Sequence, residues 1–101
     1  MEKGTPHYRL GQIKAAVAAY GKDAFTSTAQ WGVEALGITL TQACEVIGAL
    51  GPCNFYKSMT TYANHRVWQD VYHASCPKGC MAYIKFTLRD DGVVVIQFKE
   101  L

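Results

Sequence analysis

Met81-Ala82-Tyr83-Ile84-Lys85-Phe86-Thr87-Leu88-Arg89, then Asp90-Asp91, then Gly92-Val93-Val94-Val95-Ile96-Gln97-Phe98-Lys99, is the stretch that decides the fold. Its first half alternates apolar and polar residues with a period of two, the signature of a strand with one wet and one buried face. Its second half is β-branched and aromatic, and Asp90-Asp91-Gly92 between them supplies the turn chemistry of a hairpin. Ala82, Ile84, Phe86 and Leu88 share one face, matched by Val94, Ile96 and Phe98. The opposite face carries Tyr83, Lys85, Thr87, Gln97 and Lys99. A sheet with one apolar face and one face of Tyr, Lys and Gln offers a surface on which a polyanion can lie.

Moving back along the chain, Phe55 to Tyr62 and Val67 to His73 read as two more strands. Ala63-Asn64-His65 is a turn between them, and Cys76-Pro77-Lys78-Gly79-Cys80 is the loop leading into the hairpin. Before Pro52 the period is helical. A first helix is expected to start near Thr5-Pro6 and stop at Gly21, with Leu10, Ile13 and Val17 on one stripe. A short extended piece, Ala24-Phe25-Thr26, follows. A second helix is expected from Ala29 to Leu36, behind Thr28 and closed by Gly37. Thr39-Leu40-Thr41-Gln42 is a capping box that opens a third helix with Leu40, Cys44, Ile47 and Leu50 on its apolar stripe, ended by Gly51-Pro52. The expected architecture is α+β, a single domain over 1–101 with N-terminal helices packed on one face of an antiparallel sheet.

With 101 residues, half of them apolar, the chain is long enough for one packed core. No apolar run approaches the roughly eighteen residues a spanning helix needs, and the opening residues carry no signal-peptide core, so no membrane role and a cytoplasmic location are expected. A net charge of +2 permits a nucleic-acid partner only if the cations share a face. Cys44, Cys53, Cys76 and Cys80 are too few and too irregular for a disulfide scaffold. Cys76-x3-Cys80 with His73 nearby is a poor zinc pattern, so free thiols and no metal or cofactor are expected. His7 and His65 are expected on the surface.

Phe55-Tyr56-Lys57-Ser58-Met59-Thr60-Thr61-Tyr62 is dense in rings and hydroxyls around one cation, and Trp68-Gln69-Asp70-Val71-Tyr72 follows shortly after. Rings interleaved with cations suit single-stranded RNA, where bases stack and ammonium groups track phosphates. The same rings also suit ordinary packing within a sheet. RNA is cleavable without a metal, because its 2′-hydroxyl is an internal nucleophile. An enzyme must then help deprotonate it, stabilise the phosphoryl charge and protonate the leaving 5′-oxygen.

The run Asn54 to Tyr62, with His65, Trp68 to Tyr72 and Phe98-Lys99-Glu100, closely resembles the MqsR family of mRNA interferase toxins. The opening Met1-Glu2-Lys3 and Thr5-Pro6-His7, and Glu34-x-Leu36-Gly37, match it too. The resemblance covers essentially the whole chain, whereas the Cys76–Cys80 loop and the alanines Ala15, Ala16, Ala18 and Ala19 depart from the family pattern. It implies a RelE-like α+β fold and a toxin of a type II toxin–antitoxin system, acting in stress as an endoribonuclease that cuts mRNA at short GC-containing sites and so inhibits translation. It also implies catalytic roles for Lys57, Gln69 and Tyr83. Tyr56, Met59, Arg66, Lys85 and Lys99 are candidates for RNA contact beside them, with Lys57, Gln69 and Tyr83 converging on one open face.

The resemblance further implies a cognate antitoxin with a zinc-binding N-terminal domain and a helix-turn-helix C-terminal domain, through which any DNA contact would pass. Val93 and Val95 beside a free edge of the last strand suggest that this partner adds a strand along Gly92 to Lys99. Competing readings are a non-catalytic RNA- or protein-binding module on the same fold and a small metal-binding domain centred on the cysteine loop.

Overall fold

The computed structural model describes residues 1–92 and 94–101. Three α-helices, α1 (Leu10–Tyr20), α2 (Ser27–Ala35) and α3 (Leu40–Gly48), pack on one face of a five-stranded sheet. Its strands are β1 (Glu2–Lys3), β2 (Phe55–Thr60), β3 (Trp68–Ser75), β4 (Met81–Phe86) and β5 (Val95–Glu100). The spatial order is β1-β2-β3-β4-β5, with every neighbouring pair antiparallel. This is the expected α+β architecture.

The helices follow from their local chemistry with small shifts. α1 begins only at Leu10, because residues 4–9 are drawn away to the sheet: the backbone N–H groups of His7 and Tyr8 donate to the Asp70 carboxylate at 2.9–3.1 Å. Its stripe buries Ile13 and Val17, and Gly21 stops it. α2 is capped by Thr26 rather than Thr28. The Thr26 hydroxyl accepts from the Ala29 N–H and donates to the Ile96 carbonyl at 2.8 Å, so one side chain both starts the helix and ties it to β5. α3 opens on the expected capping box, in which Thr39 and Gln42 each satisfy the other's backbone N–H. Gly32 lets α2 lie against β5. A Cβ there would fall 1.8 Å from the Phe98 carbonyl oxygen.

The core lies between sheet and helices. Tyr72, Ile84, Phe86 and Phe98 from the sheet meet Ile13, Val17, Ala29, Val33, Ala43 and Ile47 from the helices. One expectation for the final hairpin is overturned. Lys85 pairs with Gln97 but Phe86 pairs with Val95, so Ile96 is the extra residue of a β-bulge. The bulge breaks the alternation at Ile96, and both Val94 and Val95 are buried before it. Val95 therefore turns into the core, fully buried, instead of facing solvent. Val93 lies outside the described residues. Gly92 closes the preceding turn at φ 82°, a left-handed conformation that glycine adopts without a Cβ clash.

The outer edge of β5 is also occupied. The Thr26 N–H donates to the Val95 carbonyl and the Val94 N–H to the Ala24 carbonyl, Phe25 bridges Val95 in parallel, and Gly32 sits on the Phe98 carbonyl. The expected strand addition along Gly92 to Lys99 does not fit this edge, because backbone groups of Val94, Val95 and Ile96 are bonded to the lead-in of α2 and the Phe98 carbonyl is covered by Gly32.

Candidate active site

Cross-strand partners in an antiparallel sheet project to the same side. Lys57 is opposite Val71, which is opposite Lys85, which is opposite Gln97. His73 is opposite Tyr83, which is opposite Lys99. Tyr72, Ile84 and Phe98 form the alternating row that enters the core. Lys57, Gln69, His73, Tyr83, Lys85 and Lys99 therefore belong to the face away from the helices, and Met59 joins them opposite Gln69. Register thus brings the sequence candidates Lys57, Gln69 and Tyr83 onto one face. Gln69 sits one same-face step from the Lys57–Val71 row, and Tyr83 one step to the other side. Arg66 is exposed in the turn between β2 and β3, away from that row, with its backbone N–H held by Asn64.

A second bulge positions the aromatic part of the face. Between Phe55 and Lys57 the register slips, because Tyr56 is the extra residue. Phe55 stays with the core, while Tyr56 swings outward and stacks on His73 with ring centroids 4.4 Å apart and planes 22° apart. Tyr83 leans against the other side of this group, 5.9 Å from the His73 ring. The Lys99 ammonium lies 5.0 Å and the Lys85 ammonium 5.8 Å from the Tyr83 ring centre, and Lys57 lies 5.5 Å from that of Tyr56. These are cation–π distances, and they hold three ammonium groups around two rings, Tyr56 and Tyr83.

The electrostatics separate the roles these groups can play. Lys57 forms an ion pair with Glu2, whose hydrogen bond holds the ammonium above the usual lysine range. Lys57 is therefore a cation, not a proton acceptor, at neutral pH. Burial pushes the Tyr83 phenol up, with Lys57 pulling partly the other way, so Tyr83 keeps its proton. Burial, and after it the repulsion of the neighbouring Lys99 and Lys57 ammonium groups, pulls Lys85 down, so part of the shift comes from cations crowded together. An anion on this face would relieve that crowding.

Three features that shape the face were not read from the sequence. β1 is two residues long, too short for any periodicity, yet it pairs Glu2 with Met59 and so brings a carboxylate to Lys57. His73 was readable in principle, since it shares parity with Gln69 on one strand. Its Nε2 is buried and, among the described residues, has no hydrogen-bond partner. Asp70 is fully buried on the helix side, where it accepts from the Ser58 hydroxyl at 2.6 Å as well as from His7 and Tyr8. It anchors the segment that presents Glu2. His7 and His65 are exposed, as expected, and His7 stacks on Trp68.

The cysteines are free thiols. Among the described residues no group of three or more His, Cys, Asp or Glu side chains is placed to hold a metal ion. Cys76, however, is not a surface residue. It is 7% exposed within the core cluster, and burial beside Cys80 pushes its thiol up to about 11. Among the described residues no helix is long and apolar enough to cross a membrane.

Two comparisons bear on this geometry. The chain is 44% identical over 100 residues to the mRNA interferase toxin MqsR of Escherichia coli (strain K12), an alignment covering 99% of both chains. The family described as "Motility quorum-sensing regulator, toxin of MqsA" matches residues 5–100, which include every strand of the open face except β1. The chain belongs to the MqsR toxin family.

Proposed function

We propose that this chain is the toxin of a type II toxin–antitoxin system, an endoribonuclease that cleaves mRNA and so stops translation. The observation that carries the reading is the sheet register that gathers Lys57, Tyr83, Lys85 and Lys99 on the one face free of helices. It agrees with the name of the relative, an mRNA interferase.

In the proposed reaction a phosphate of single-stranded RNA lies over Lys57, with bases against Tyr56 and Met59. Attack of the 2′-oxygen builds negative charge on the phosphoryl oxygens, and the Lys57 ammonium stabilises it. Tyr83, kept protonated by burial, protonates the leaving 5′-oxygen. Gln69 does not change charge and orients the phosphoryl oxygens or the neighbouring ribose. Lys85 and Lys99 neutralise adjacent phosphates, and Arg66, in the turn, serves RNA extending past the end of the sheet. The site preference is a short sequence containing a GC dinucleotide. The partner that silences the toxin is an antitoxin with a zinc-binding N-terminal domain and a helix-turn-helix C-terminal domain, through which DNA contact passes. The site of action is the cytoplasm.

The test is incubation of a mixed-sequence RNA with metal-stripped protein in EDTA, with both product ends mapped. Cleavage leaving a 2′,3′-cyclic phosphate and a 5′-hydroxyl is expected. Activity that disappears with EDTA and returns with magnesium would overturn the mechanism.

A further inference from the structure

The reaction proposed above names a charge stabiliser and a proton donor, but the group that removes the 2′-proton is still missing. The usual resort is a lysine with a depressed pKa, and here Lys57 is pushed the other way by its ion pair with Glu2. Lys85, the one ammonium of the face drawn downward, lies two strands further across and is crowded by Lys99 and Lys57. His73 has its Nε2 sealed off from solvent.

We propose that Glu2 is the general base of this active site: its carboxylate, held on Lys57 by the pairing of β1 with β2, takes the proton from the attacking 2′-hydroxyl. This inference rests on the ribonuclease reading above. Three observations carry it. First, Glu2 is fixed in place. Glu2 pairs with Met59 and Lys3 with Ser58, the Thr60 N–H donates to the Met1 carbonyl at 2.9 Å, and the following residues are pinned by Asp70 through His7 and Tyr8. Second, the Glu2 side chain is 59% exposed, beside a shallow open depression that Glu2 lines with Lys3, Gly4, Tyr56 and Lys57. Third, the order across the sheet is Glu2 on β1, Lys57 on β2 and Tyr83 on β4. Strand order thus sets a proton acceptor and a proton donor on opposite sides of Lys57. In-line transfer at phosphorus requires this arrangement, because the attacking and leaving oxygens are on opposite sides of the phosphoryl group.

The step balances without a further reactant. The 2′-O–H bond breaks and its proton passes to Glu2. The 2′-oxygen bonds to phosphorus, the bond from phosphorus to the 5′-oxygen breaks, and that oxygen takes the Tyr83 proton. The products are a 2′,3′-cyclic phosphate and a 5′-hydroxyl, after which Glu2 returns its proton and Tyr83 regains one through solvent. Lys57 holds Glu2 below the usual carboxylate range, so the base is ionised at neutral pH, and Lys57 is released to the phosphate as Glu2 becomes neutral.

The experiment measures single-turnover cleavage of an oligoribonucleotide by wild type, Glu2→Gln, Glu2→Ala and Lys57→Ala, with saturating protein and with the half-saturating concentration recorded. Glu2→Gln is expected to lower the rate constant about a hundredfold, the scale of a general-base contribution, while half-saturation and the thermal transition stay near wild type. Added formate is expected to restore part of the rate to Glu2→Ala and none to Lys57→Ala. A rate in Glu2→Gln equal to or above wild type would overturn the proposal and make Glu2 a mere occupant of the phosphate site. So would weaker RNA binding with the rate constant unchanged, or failure of formate to act on Glu2→Ala. In these cases a dead Lys57→Ala leaves the ribonuclease reading standing, whereas a fully active Lys57→Ala sinks that reading as well.

Discussion

Removing the Lys57 ammonium takes away the charge that couples to both Glu2 and Tyr83. A group used in the transition state lowers turnover when deleted, while a group used only for binding raises the RNA concentration needed. Lys57→Ala and Tyr83→Phe are therefore expected to cut kcat by about a hundredfold or more, whereas Lys99→Ala, whose ammonium sits beside the Tyr83 ring, acts mainly on KM. Steady-state cleavage kinetics on one oligoribonucleotide distinguish the two patterns; a Tyr83→Phe protein with unaltered kcat would remove the phenol from the mechanism. At the same scale, Cys76 and Cys80 should part company despite their shared loop. Cys76 lies in the core and Cys80 is half-buried. Cys76→Ser places a hydroxyl in apolar surroundings at a cost of about 1–3 kcal/mol, and Cys80→Ser, whose side chain only borders the core, costs less. Urea unfolding of the two single variants checks this, and equal midpoints would contradict the packing.

At the scale of elements, the contact between α2 and β5 gives a substitution whose sign is decided by packing alone. Helix propensity favours Gly32→Ala by about 1 kcal/mol. The new methyl group would fall 1.8 Å from the Phe98 carbonyl oxygen and 2.9 Å from its carbon, and both belong to backbone that cannot rotate away. Overpacking of this kind costs about 1–3 kcal/mol, so the variant is expected to unfold at lower urea, with β5 loosened along Phe98. A midpoint above wild type would mean that α2 lifts off freely. The same contact explains what was and was not legible in the sequence. The capping box at Thr39, the stop at Gly21 and the alternation of Met81 to Phe86 are local, and each stands where local chemistry puts it. The bulges at Tyr56 and Ile96 are not local. Each depends on how a neighbouring strand pairs, and one extra residue changes the face of the side chain next to it. Val95 was misplaced for this reason, and the closed edge of β5 was invisible because its covering residues, 24–32, lie some seventy positions earlier. Lys57, Gln69 and Tyr83 could be named from motif and expected on one face, but the strand order and register that put them there could not be read. β1 lies below the length at which any pattern can be read.

Across the whole molecule, the sheet separates two environments. The helices cover one face, and the other gathers Lys57, Lys85 and Lys99 although the net charge of the chain is only +2. If binding followed net charge, any lysine would count equally. If it follows the face, position decides. Each phosphate neutralised on single-stranded nucleic acid contributes about −0.7 to the slope of log K against log salt. Three ammonium groups on the face thus predict a slope of about −2 for a non-cleavable 2′-O-methyl oligonucleotide. Lys85→Ala and Lys99→Ala should each reduce the slope by about 0.7. Lys22→Ala removes the same charge from an exposed position in the turn after α1 and should leave the slope unchanged. Fluorescence anisotropy from low to moderate salt measures all four proteins in one buffer series. Equal slopes for the three variants would show that RNA senses overall charge and not this surface, and would remove the electrostatic basis for placing RNA on the open face of the sheet.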